Sequence, residues 1–170
     1  MHRTIIHRLA CIAISAGLAA SLPATGADSK VVNAILTAIV EDEAHAFMRT
    51  LEPAMADCAA VFTQTPDAER ACAYAEAMFA GLAAVPESSM QSTGGEIRIV
   101  TATPTLIEAG MAHPVFAPWG ELAPRMADHV ELFAFLYTDA EGRAVKSRGV
   151  LLEGDGRWIF APRWYRAFED

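Results

Sequence analysis

The chain has 170 residues, with 13 Lys and Arg against 21 Asp and Glu, for a formal net charge of −8. That length suits one domain with room for a real apolar core. The acidic balance excludes a nucleic-acid binder held by phosphate contacts, because the phosphates would be repelled.

Residues 1–27 have the layout of a secretory signal peptide. Arg3 and Arg8 give a positive start, Leu9–Leu22 an apolar core, Pro23 a helix breaker, and Thr25 and Ala27 small residues of the kind a signal peptidase reads. The apolar run is shorter than the roughly 20 residues of a transmembrane helix. Cys11 does not fit a lipid-attachment site, since Arg8 stands three residues before it where an apolar residue is wanted. Leu22-Pro23-Ala24-Thr25-Gly26 spells a wall-sorting string at the wrong end of the chain and is read as coincidence. The expected organisation is a signal peptide over 1–27 and a single domain over 28–170. No stable membrane span is expected after cleavage, and the location is periplasmic or secreted.

Without Arg3 and Arg8 the balance falls to 11 bases against 21 acids. The charge is uneven: residues 28–87 hold ten acids and three bases, while residues 143–166 hold six bases and two acids. Pairing between an acidic helical half and a basic sheet half explains this most simply. Cys58 and Cys72 are an even pair in the expected mature region. In an oxidising compartment such a pair reads as a disulfide. It closes a loop of about 15 residues, worth about 3 kcal/mol in the chain-entropy account. With no CxxC and no further ligands at metal spacing, neither a metal nor a cofactor is expected.

Val31–Val40 carries a helical stripe of Val32, Ile35, Leu36 and Ile39. The acidic run Glu41-Asp42-Glu43 reads as a bend or a solvated face, and helical spacing resumes over His45–Leu51. Pro53 opens a further helix with Met55, Cys58, Ala59 and Phe62 on one face. Thr65-Pro66-Asp67 starts the next, through a capping hydroxyl, a Pro at the first position and an acid at the positive end. That helix is expected to reach Leu82 and to bury Cys72, Ala75, Met78, Phe79 and Leu82.

Pro86–Gly95 is a polar loop, after which the period changes. Glu96–Ala102 alternates as a strand. Pro104–Gly110 is ambiguous between helix and loop. His113–Pro124, with three prolines, is a broken crossover with a short helix near Glu121–Met126. His129–Tyr137 reads as a strand with Val130, Leu132, Ala134 and Leu136 on one face and Glu131, Phe133, Phe135 and Tyr137 on the other. Asp139-Ala140-Glu141-Gly142 turns it back into Ala144–Leu152, and Gly154-Asp155-Gly156 turns that into Arg157–Ala161. Helices first and a meander second make an α+β fold, N-terminal helices packed on a curved antiparallel sheet. A ligand cavity would sit between the two layers.

This order is similar to the NTF2-like (SnoaL-like) α+β cone. The resemblance runs over the stripe near Val31–Phe47, the strand pair His129–Leu152 and the ending Gly156-Arg157-Trp158-Ile159-Phe160-Ala161-Pro162. The segment Pro162-Arg163-Trp164-Tyr165-Arg166 also resembles the close of small bacterial exported proteins of uncharacterised activity. Such cones include isomerases, dehydratases, binding modules and accessory domains, so the resemblance implies a fold and no single activity. It transfers no catalytic residue.

Catalytic motifs are sparse. Asp128-His129 would supply an acid–base pair, but neighbours on a strand point to opposite faces. Glu43 and His45 lie two apart, off the spacing that lets helical side chains share a site. His113 before Pro114 reads as a solvated loop residue. Arg157-Trp158 and Arg163-Trp164-Tyr165-Arg166 have hot-spot composition, although buried Trp and Tyr are equally the material of a core. The reading is an exported, non-enzymatic domain that binds a small molecule or a protein partner, a second copy of the chain being one candidate. The expected binding residues are Phe133, Phe135, Tyr137, Trp158 and Trp164, with Arg148 as polar anchor. The alternative is an NTF2-like enzyme, an isomerase, dehydratase or hydrolase, using His129.

Overall fold

Val32, Leu36 and Ile39 recur at helical spacing, and that stripe is buried along one side of helix α1 (Ser29–Glu41). The structure is a computed structural model that describes residues 29–41, 45–82, 84, 96–138, 144–146 and 149–169. The proposed leader, the acidic residues 42 and 43, the Pro86–Gly95 loop and the Asp139–Gly142 turn lie outside the described residues. Helix α2 (Ala46–Thr50) follows His45, whose backbone is left-handed at φ 56°. Helix α3 (Met55–Val61) and helix α4 (Thr65–Leu82) pack together.

Two buried faces differ from the periodicity expectation. On α3 the buried residues are Asp57, Cys58 and Val61, while Met55 and Ala59 are exposed. The helix begins two residues after Pro53 and is anchored by a polar side chain, Asp57, which an apolar stripe does not register. On α4 the buried residues are Ala68, Ala71, Ala75 and Phe79, and Met78 is exposed. The small alanine side turns inward, and Cys72 and Leu82 are only half-buried.

Strand β1 (Glu96–Ala102) pairs antiparallel with β2 (Leu132–Thr138) along its full length, from Glu96↔Thr138 to Ala102↔Leu132. The other edge of β2 takes β3 (Ala144–Lys146) and then β4 (Val150–Glu153), and β4 pairs with β5 (Trp158–Ala161). The sheet is therefore an open antiparallel path, β1-β2-β4-β5, with β3 beside β2. Between Leu136↔Lys146 and Phe133↔Leu151 the return chain advances five residues while β2 advances three. Gly149 sits at the end of that interval, and a Cβ there would stand 2.6 Å from the Phe160 ring.

Strand β2 starts later than the alternation implies. Its first residue is Leu132, because its partner β1 ends at Ala102. Thr103 leaves the ladder, and its hydroxyl accepts the Leu106 N–H at 3.4 Å to cap helix α5 (Pro104–Glu108). His129 is consequently not on the strand, a correction to its expected place. The crossover continues through two 3-10 turns, Pro114–Trp119 and Ala123–Arg125. It then meets the end of α3: the Ala127 N–H donates to the Val61 carbonyl at 2.8 Å and the Thr63 N–H to the Arg125 carbonyl at 2.9 Å.

The fold is α+β. Leu132 and Ala134 on one face of β2 and Phe133 and Phe135 on the other are all buried. A single core joins these residues with α1, α3 and α4.

Candidate functional site

A densely connected polar group lies between the helices and the last hairpin. Asp57, third residue of α3, is 2% exposed. Its Oδ2 accepts the Ala54 N–H at 2.7 Å, Arg157 Nη2 at 2.6 Å and Arg157 Nε at 3.1 Å. Its Oδ1 accepts the Asp155 N–H at 3.2 Å. Arg157 also donates to the carbonyls of Thr50, at 3.2 Å, and Glu52, at 2.6 Å. One carboxylate and one guanidinium thus join the N-terminus of α3, the chain before it and the β4–β5 turn. Gly154 in that turn packs against Asp57, where a Cβ would lie 2.7 Å from both the Asp57 Cβ and Oδ1.

Burial alone pushes the Asp57 carboxyl up. The Arg157 hydrogen bonds, the Ala54 and Asp155 N–H groups and the guanidinium charge together outweigh it and hold the group below its ordinary value. The ionised carboxylate has no proton to give, and its three donors on Oδ2 and one on Oδ1 all come from this fold. Its chemistry is that of a latch.

The C-terminal aromatic segment forms a second contact. Trp164 is fully buried, with its ring 5.4 Å from Phe62. Phe168 stacks on Phe62 at 6.0 Å and carries Arg70 and Arg125 within 5.1 and 5.2 Å of its ring. Arg125 also pairs with Asp67 at 2.9 Å. Tyr165 meets Trp119 edge-on at 5.6 Å. The 3-10 turn Trp164–Phe168 therefore closes the ends of α3 and α4.

The expected binding residues do not all meet. Phe133 and Phe135 share a face of β2, opposite Thr101 and Ile99, but are 4% and 1% exposed. Trp158 on β5 touches Phe133 edge-on at 5.4 Å and is half-buried, so among the described side chains of this aromatic row it is the one that reaches solvent. Trp164 packs on Phe62 rather than on that row. Tyr137 continues the Phe133 face by register, across from Ile97. Its side chain lies outside the described residues, as does Arg148. Trp158 stands directly opposite Glu153, which is exposed.

His129 is exposed in the turn before β2. His113 has an intramolecular role, its Nδ1 accepting the Val115 N–H at 3.2 Å. Glu131 is half-buried, and burial pushes its carboxyl up. Cys58 is buried and Cys72 half-buried. Among the described residues no three His, Cys, Asp or Glu side chains group as metal ligands, and no helix is long and apolar enough to cross a membrane.

No family model, curated protein or solved structure matches this chain.

The Asp57–Arg157 latch is not visible in the sequence alone. One signal was available for half of it: an acid at the third helical position after Pro53-Ala54 suits the positive end of a helix. Nothing local marks its partner 100 residues away.

Proposed function

We propose that this chain is an exported, non-catalytic α+β domain that engages a protein partner through the Trp158 end of its sheet. The observation that carries this reading is the placing of the aromatic row. Phe133 and Phe135 are closed into the core, and Trp158, packed edge-on to Phe133, is half-exposed. A rigid Trp backed by packed aromatics and flanked by exposed polar residues has the make-up of an interface hot spot. Glu153, Asp155 and Gly156 supply that exposed surround.

Export rests on the layout of residues 1–27, and kinship with NTF2-like cones rests on the order of helices and meander. The acid–base enzyme is the weaker reading. Its histidine, His129, is exposed and stands outside the strand that was to aim it into a pocket. An exposed imidazole lacks the enclosure that tunes a catalytic base.

Gentle isolation from the exported fraction and native mass measurement test the proposal. The expected result is a complex heavier by a whole polypeptide, either a second copy or another protein. A small-molecule increment would replace the partner with a ligand. A bare monomer under the same conditions would contradict the reading.

A further inference from the structure

Helices α3 and α4 bring two thiols together. Cys58 on α3 is fully buried, and Cys72 on α4 is half-buried. The two helices pack against each other, and Cys72 lies near enough to Cys58 to act on its thiol. The Cys72 thiol also lies 3.8 Å from the Pro53 carbonyl, on the side of α3 that faces α4. The pair is thus pre-positioned by packing, and one member alone is open to a reagent.

We propose that Cys58 and Cys72 are a redox-modification site, closed to a disulfide in two ordered steps with Cys72 as the entry thiol. The oxidant is a small or protein disulfide. The Cys72 thiolate attacks one of its sulfurs, giving a mixed disulfide at Cys72 and releasing one thiol. Cys58 then loses its proton and attacks the Cys72 sulfur, releasing the second thiol. Two thiol hydrogens and two electrons leave the protein, and one disulfide of the oxidant becomes two thiols.

The order follows from access and from acidity. Burial pushes the Cys58 thiol up, and the contact with Cys72 and the nearby Asp57 charge push it further. Cys58 is therefore the slower thiolate to form and the one a reagent cannot reach. Once Cys72 is in a mixed disulfide, Cys58 needs no outside access, because its target sits on the helix packed against its own. The bond would fasten the helix that holds Asp57 to the helix that holds the C-terminal aromatics. This inference does not depend on the partner-binding reading.

The test uses the full chain, reduced and then incubated folded with oxidised glutathione, quenched in acid, alkylated under denaturing conditions and mapped. The expected product has lost two hydrogen atoms and yields one cross-linked peptide joining Cys58 to Cys72. Folded Cys58→Ser accumulates one glutathione on Cys72, whereas folded Cys72→Ser takes up glutathione on Cys58 at least about tenfold more slowly. Wild-type chain that remains alkylable at both positions would overturn the proposal. So would a bond from Cys11 to either cysteine, or equal glutathione uptake by the two variants. Circular dichroism verifies that each variant is folded, and the wild-type cross-link stands as a readout if one is not.

Discussion

Asp57 and Arg157 stand 100 residues apart and meet on one carboxylate oxygen through two hydrogen bonds, of 2.6 and 3.1 Å. The carboxylate is buried while the guanidinium side chain is 42% exposed. The contact therefore has an inner end held by backbone N–H groups and an outer end screened by water. Its role is to bind the start of α3 to the β4–β5 turn.

Asp57→Asn and Arg157→Ala should each lower the unfolding free energy by about 2–3 kcal/mol, read from urea titration. The figure is held below that of a fully buried pair because Arg157 is partly solvated. The pH dependence has a definite sign. The folded Asp57 value lies below its ordinary 3.8, so its stabilisation is full above 3.8 and is lost as pH falls through the lower folded value. Asp57→Asn should remove that share of the acid sensitivity.

Gly154 and Gly156 should respond differently to substitution. At Gly154 a Cβ would lie 2.7 Å from Asp57, so Gly154→Ala must move the latch and should cost about 1–3 kcal/mol. At Gly156 nothing lies within 4 Å, but φ is +70°. Gly156→Ala should cost about 1 kcal/mol through backbone strain alone. In the Gly154 variant the cost should shrink when Asp57→Asn is also present, which a double-mutant cycle measures.

Glu131 carries a burial penalty for its charge. Its folded value is raised above 4.5, so the penalty is absent below 4.5 and complete above the folded value. Glu131→Gln should raise stability by about 0.5 kcal/mol at about pH 7 and leave it unchanged at about pH 4. Thermal melts at the two pH values decide it.

The C-terminal aromatics differ in depth. Trp164 is fully buried, and Trp164→Ala should cost about 3–5 kcal/mol. Phe168 is half-buried with two arginines against its ring, and Phe168→Ala should cost about 1–2 kcal/mol. Arg70→Ala should reduce the Phe168 effect, since it removes one of the two cations over the ring.

Elements set by local chemistry were legible in the sequence. Glu96–Ala102 and Thr65–Leu82 have the expected bounds, because alternation and a Thr-Pro-Asp start act within one segment. Pro104–Gly110, ambiguous by pattern, holds the helix Pro104–Glu108, whose start is marked by Thr103 as cap and Pro104 in the first turn. What stayed hidden depends on partners. Strand β2 starts at Leu132 because β1 ends at Ala102, and no property of residues 129–131 marks that boundary. The aromatic alternation placed Phe133 and Phe135 on one face correctly. It carried no information on whether that face meets solvent or core. Asp57 reads as a helix-start acid, and only the fold brings Arg157 to it.

Site-specific photo-crosslinking from position 153 tests the central claim most directly. Glu153 is exposed and directly opposite Trp158, so a crosslinker there leaves the Trp in place. The account predicts one protein-sized adduct in the exported fraction, lost in a Trp158→Ala background and absent when the crosslinker replaces exposed Glu69 on α4. A chain found only in the cytoplasm, or an adduct from position 69 as strong as from position 153, would contradict it.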